Sequence, residues 1–158
     1  MSRLCERYQL FEPLRERIGA GMPTFGTCAG LIFLARHIEG ASPNFAQQTL
    51  QMLDVGVARN AYGAQIDSFE TDLAVAGLQE SVRAVFIRAP RIESVGEGVE
   101  VLASFQNAPV IVRQGAMMAL SFHPEIAGER RLHQMWLDSI RKGCEAETAS
   151  ETAPGDTT

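Results

Sequence analysis

With 158 residues, 46% of them hydrophobic, the chain is long enough for one domain with a buried core and too short for two ordinary ones. Its net charge of -5 comes mostly from the end, where Glu145, Glu147, Glu151 and Asp156 stand without a lysine or arginine; the nearly neutral body offers no basic patch for nucleic acid and no polybasic membrane address. The longest apolar run stops at Arg36, too short for a membrane span, and three scattered cysteines suggest neither a disulfide framework nor a metal site.

In chain order, Leu4, Tyr8, Leu10, Phe11, Leu14 and Ile18 recur at helical spacing, and Gly19-Ala20-Gly21 closes that predicted helix. Residues 23–26 form a short apolar strand, residues 29–38 a helix, and the polar stretch 40–51, with Pro43 and Asn44, a loop. Strands follow over 53–60, 65–74, 84–87, 92–95, 99–105, 110–114 and 117–122, with turns at Gly63, at Gly96-Glu97-Gly98 and at Asn107-Ala108-Pro109. A last helix over 128–142 turns Leu132, Met135, Trp136 and Ile140 to one side. The predicted domain is residues 1–143; the acidic remainder, 144–158, is rich in Ala, Thr, Ser and Glu, cannot build a core, and is expected to be disordered. The opening Met1-Ser2-Arg3-Leu4-Cys5-Glu6-Arg7 does not resemble a signal peptide, so a reducing cytoplasm is the expected setting.

Two motifs carry chemistry. In Phe25-Gly26-Thr27-Cys28-Ala29-Gly30-Leu31 a strand turns sharply into a helix, the Gly-x-nucleophile-x-Gly elbow with a thiol at its apex. Flanking glycines are expected because neighbouring Cβ atoms would crowd the strained turn. The helix N-terminus is expected to favour thiolate. Most free cysteines are only small buried hydrophobes, which suffices for Cys5 and Cys144; for Cys28 the strand, the glycines and the helix agree on a nucleophile.

The second motif is Ser121-Phe122-His123-Pro124-Glu125. Strand alternation places Ala119, Ser121, His123 and Glu125 on one face, and Met118, Leu120, Phe122 and Pro124 on the other. Glu125 beside His123 can fix the imidazole tautomer and stabilise the imidazolium formed when it takes a thiol proton. Alone, His-Pro-Glu is an ordinary strand exit; joined to the elbow it completes an acyl-transfer triad. His37 and His133 read as structural.

With Arg59-Asn60-Ala61-Tyr62-Gly63, Ser68-Phe69-Glu70 and Val85-Phe86-Ile87-Arg88-Ala89-Pro90 added, the chain from about Arg3 to Lys142 resembles the glutaminase subunit of the pyridoxal 5'-phosphate synthase complex, one of the triad (class I) glutamine amidotransferases. The resemblance implies an α/β, flavodoxin-like three-layer domain. It implies Cys28 as nucleophile, His123 as base and acid, Glu125 as orienter, Ala29 as an oxyanion donor, and Arg59, Ile87 and Arg88 as glutamine contacts. It further implies a barrel-shaped synthase partner that receives the ammonia, with no cofactor on this chain.

The family places further strands and a Gly-Gly-Glu-Ser loop before the first helix seen here. The expectation is therefore a domain truncated at its N-terminus, by a misplaced start or by real loss of sequence. Two other readings stay open: an inactive subunit that only docks to the synthase, and an amidotransferase serving a different synthase.

Overall fold

The chain opens with two helices, α1 (Ser2–Arg7) and α2 (Phe11–Gly19), where periodicity predicted one. The break is local: Gln9 takes a left-handed φ of 54°, and Leu10 N–H closes on Cys5 O at 2.8 Å, a helix-ending turn. Both helices still bury one stripe, Cys5, Phe11 and Ile18, in the same apolar cluster.

Strand β1 (Thr24–Thr27) then leads through Cys28 into α3 (Ala29–Leu34). The sequence predicted a helix to residue 38, but α3 ends at Leu34 and residues Ala35–Glu39 form β2. Pairing decides this: β2 lies parallel to β3 (Leu53–Ala58), with Ala35 opposite Leu53, and Arg36 Nε reaches Asp54 Oδ1 at 3.1 Å. A ladder partner overrides the weaker local preference. The strands β4 (Ser68–Leu73), β5 (Val82–Ile87), β6 (Arg91–Val95), β7 (Glu100–Phe105), β8 (Ala108–Gln114) and β9 (Met117–Leu120) follow, each where alternation placed one and differing only at the ends.

The computed structural model describes residues 1–40, 47–59 and 68–151, with side chains as far as 143. Residues 41–46 of the predicted loop 40–51, the first residues of the strand predicted at 65–74, the stretch Asn60-Ala61-Tyr62-Gly63 and the tail from 152 lie outside the described residues. The final helix, α4, spans Arg131–Glu151: it starts later than predicted and runs past the predicted end at Lys142 into the acidic segment. The alanines and glutamates of that segment are good helix formers, and an established helix extends more easily than it nucleates.

Three sheets result among the described residues. The largest has the order β1-β9-β8-β7, the second β2-β3-β6, and β4 and β5 form a hairpin. In the largest sheet β1 and β9 run parallel while β9, β8 and β7 alternate in direction. Its two faces serve two cores. Ala119 and Val112 join the cluster of α1, α2, α3 and β3, whereas Met118, Leu120 and Phe122 join the cluster beneath β5, β7 and Leu132 of α4. The alternation read from the sequence is therefore the one that divides these cores. Phe69, Phe86 and Phe105 stack in the second, with Phe69 and Phe86 4.5 Å apart between ring centroids, and Phe122 packs tilted against Phe86. Trp136 of α4 donates its indole N–H to Ala116 O at 3.1 Å, fixing the helix beside the β8–β9 turn.

Candidate active site

Cys28 stands at the carboxyl end of β1, held by its N–H on Leu120 O at 2.8 Å. Its φ of 47° with ψ of -100° is a conformation that side-chain-bearing residues seldom adopt. Surrounding structure enforces it. A Cβ on Gly26 would lie 2.8 Å from Leu34 Cδ1 and 3.0 Å from the carbonyl carbon of Gly30, so only glycine lets α3 fold back this closely on β1. The second elbow glycine corrects the expectation: a Cβ on Gly30 would meet nothing within 4 Å. Of the pair, Gly26 alone is sterically demanded.

The segment after β9 leaves the same end of the sheet, because β1 and β9 are parallel with Thr27 opposite Leu120. Ser121 N–H bonds Val110 O at 2.9 Å, and His123 N–H bonds Val85 O at 2.9 Å. His123 Nδ1 lies 2.7 Å from Glu125 Oε1. A carboxylate only accepts, so Nδ1 carries the hydrogen and donates, leaving Nε2 as the free base. This is the relation that the two-residue spacing predicted. Among the described residues the Cys28 thiol makes no hydrogen bond to His123; its neighbour is Ile87 O, 4.0 Å away at the end of β5.

The charges around the thiol oppose one another. Burial pushes the Cys28 thiol above its ordinary pKa; a hydrogen bond from Ala29 N–H pulls it down, the negative charge of Glu125 raises it and Arg88 lowers it. The expectation of a helix-stabilised thiolate is thus corrected, since desolvation outweighs the N–H groups of a helix only six residues long. Glu125 behaves in the opposite way. Burial raises its pKa, yet the His123 hydrogen bond, a backbone N–H and the charges of His123 and His133 together bring it below the usual carboxylate range.

The structure therefore brings together Cys28, Ala29, Ile87, Arg88, His123 and Glu125. Arg88 holds a left-handed φ of 42° at the strand exit and is exposed. Arg59 is exposed just beyond β3, and no contact among the described residues joins it to this group. Sequence reasoning missed what His133 touches: its ring stacks on Phe25 of β1 at 4.5 Å between centroids, and its charge acts on Glu125. The signal was present, since His133 occupies the α4 stripe beside Leu132 and Trp136, but only tertiary packing shows which ring it meets.

Comparison with known proteins identifies the family and agrees with the fold. The SNO glutamine amidotransferase family model matches residues 1–142. The chain is 50% identical over 143 residues to the pyridoxal 5'-phosphate synthase subunit PdxT of Mycobacteroides abscessus, covering 90% of this chain and 73% of that protein. It is 49% identical over 145 residues to the PdxT of Nocardioides sp., covering 89% and 71%. A crystal structure of a glutamine amidotransferase superposes with a TM-score of 0.80 at 46% identity, over 87% of this chain and 71% of that one. A putative GMP synthase subunit from Thermoplasma acidophilum, at 16% identity and a TM-score of 0.61 over 90% of this chain and 70% of that one, shares the fold alone. The chain belongs to the SNO glutamine amidotransferase family.

Proposed function

We propose that this chain hydrolyses L-glutamine to L-glutamate and ammonia, with Cys28 as nucleophile, His123 as general base and acid, and Glu125 as orienter. The observation that carries this reading is the 2.7 Å His123–Glu125 pair leaving the same end of the sheet as Cys28 in its strained elbow. His123 Nε2 takes the thiol proton as Sγ attacks the side-chain amide carbon, and the imidazolium is stabilised by Glu125. That imidazolium protonates the leaving ammonia. Water, activated by the same nitrogen, then hydrolyses the γ-glutamyl thioester and frees the thiol.

Burial disfavours the thiolate, so transfer of the proton to His123 accompanies attack on the substrate. The Ala29 N–H, already directed at the sulfur, supplies one oxyanion donor. Ile87 and Arg88 line the substrate side of the thiol, and Arg59 joins Arg88 in receiving the amino acid's carboxylate, which a guanidinium can grip through two parallel hydrogen bonds. The ammonia passes to a barrel-shaped synthase subunit in the cytoplasm, where it enters pyridoxal 5'-phosphate; the PdxT names of the relatives support that partner. No helix among the described residues is long and apolar enough to cross a membrane.

The test is glutamate release by the chain with its synthase subunit. Cys28→Ala is expected to lower the rate at least about a thousandfold, as loss of a nucleophile does in triad enzymes. Hydrolysis surviving in that variant removes Cys28 from the role.

A further inference from the structure

Glu125 sits on an exposed turn with its side chain 54% accessible, a poor foundation for a carboxylate that must aim an imidazole. The turn is closed by Glu129 N–H on Pro124 O at 2.9 Å and by Gly128 N–H on Glu125 O at 3.2 Å. Just beyond lies a set of contacts that the triad itself does not explain. The side chain of Glu129 is only 7% accessible. Its Oε1 accepts the backbone N–H of Arg131 at 2.8 Å and Arg131 Nε at 3.0 Å, while Oε2 accepts Nη2 at 2.5 Å. The same Nη2 donates to Ser81 O at 2.9 Å, immediately before β5.

The span from His123 to Arg131 is therefore fastened to β5 at both ends. His123 N–H holds Val85 O, and Arg131, gripped by Glu129, holds Ser81 O. Leu132 of α4 anchors the chain just past Arg131 in the second core, but the Arg131 bond to Ser81 O is what ties the far end of the turn directly to the segment that enters β5. A carboxylate with little exposed surface, caught by a guanidinium fork and a backbone N–H, is a rigid peg, since three N–H donors converge on it and each bond is charge-assisted.

We propose that Glu129 is a positioning residue for Glu125: through Arg131 it pins the far end of the turn to β5 and so fixes the carboxylate against His123 Nδ1. The inference rests on the reading of Glu125 as the orienter. In the folded full chain, the low-field proton resonance of His123 Nδ1–H, assigned by its absence in His123→Gln, should be lost in Glu125→Gln and equally lost or broadened in Glu129→Gln. Loss of alignment should also slow glutamine hydrolysis about tenfold to a hundredfold, the scale on which misplaced groups act.

The double variant Glu125→Gln/Glu129→Gln should then be no slower than Glu125→Gln alone, because Glu129 acts through Glu125. A sharp His123 resonance surviving in folded Glu129→Gln, or rate losses that multiply in the double variant, would overturn the proposal. Should Glu129→Gln not fold, Arg131→Gln enters the same measurements with the same expectations. Cys28→Ala separates the two readings: full hydrolysis in that variant removes the nucleophile assignment, whereas the resonance still reports whether Glu129 holds Glu125.

Discussion

Replacing each elbow glycine by alanine separates two steric situations that look alike in the sequence. At Gly26 the new methyl meets Leu34 Cδ1 at 2.8 Å, and the carbonyl carbon and oxygen of Gly30 at 3.0 and 3.2 Å. The leucine can rotate away, but the Gly30 carbonyl belongs to the first turn of α3 and moves only if the elbow opens. Overpacking of this kind costs roughly 1–3 kcal/mol. For a chain of this size, that corresponds to a fall in Tm of about 2–4 °C per kcal/mol. Gly30 is different: its Cβ position is open, and the residue lies inside α3, where alanine is preferred over glycine by up to about 1 kcal/mol. Gly30→Ala should therefore be neutral or raise Tm, and Gly26→Ala should lower it. Urea or thermal unfolding of the two variants beside wild type gives the answer. Equal destabilisation by both, or a Gly26→Ala variant as stable as wild type, would refute the claim that close packing of β1 on α3 sets the elbow.

The charges around Cys28 predict an order of thiol reactivity towards iodoacetamide as pH is varied. The wild-type midpoint should lie above that of an unperturbed thiol, Arg88→Ala should move it higher still by removing a positive charge, and Glu125→Gln should move it lower by removing a negative one; the reverse order would contradict the described electrostatics. Hydrogen bonding to Arg131 leads the causes that depress the Glu129 carboxyl below its ordinary pKa. Its contribution to stability is then present above the unfolded carboxylate value of about 4.3 and lost as pH falls through the folded value. Glu129→Gln should flatten the fall in stability below about pH 4, measured by urea unfolding across an acid series. Leu132, with no exposed surface, joins α4 to the second core, and Leu132→Ala should cost about 2–5 kcal/mol in the same assay. Trp136→Phe keeps an aromatic ring but loses the bond to Ala116 O and part of the indole's packing surface, and a loss of at least about 0.5–1.5 kcal/mol is expected.

The sequence by itself determined much of the site because its signals are local. An apolar strand, a turn through Thr27-Cys28-Ala29 and an apolar helix announce an elbow at Cys28, and a two-residue step puts Glu125 beside His123. Strand alternation at Met118, Ala119, Leu120 and Phe122 likewise declared which side chains enter which core. Tertiary structure decided what depends on partners distant in the chain. Residues 35–39 became a strand because β3 offers a ladder, not because Arg36 and His37 prefer one. The Cys28 thiol is shifted upward because packing desolvates it, a cost that no motif records. Gly26 is demanded and Gly30 is not because α3 folds back over one and away from the other. Ser81 and Val85, far upstream in the chain, fasten the His123 segment through backbone carbonyls, and a carbonyl leaves no trace in residue identity.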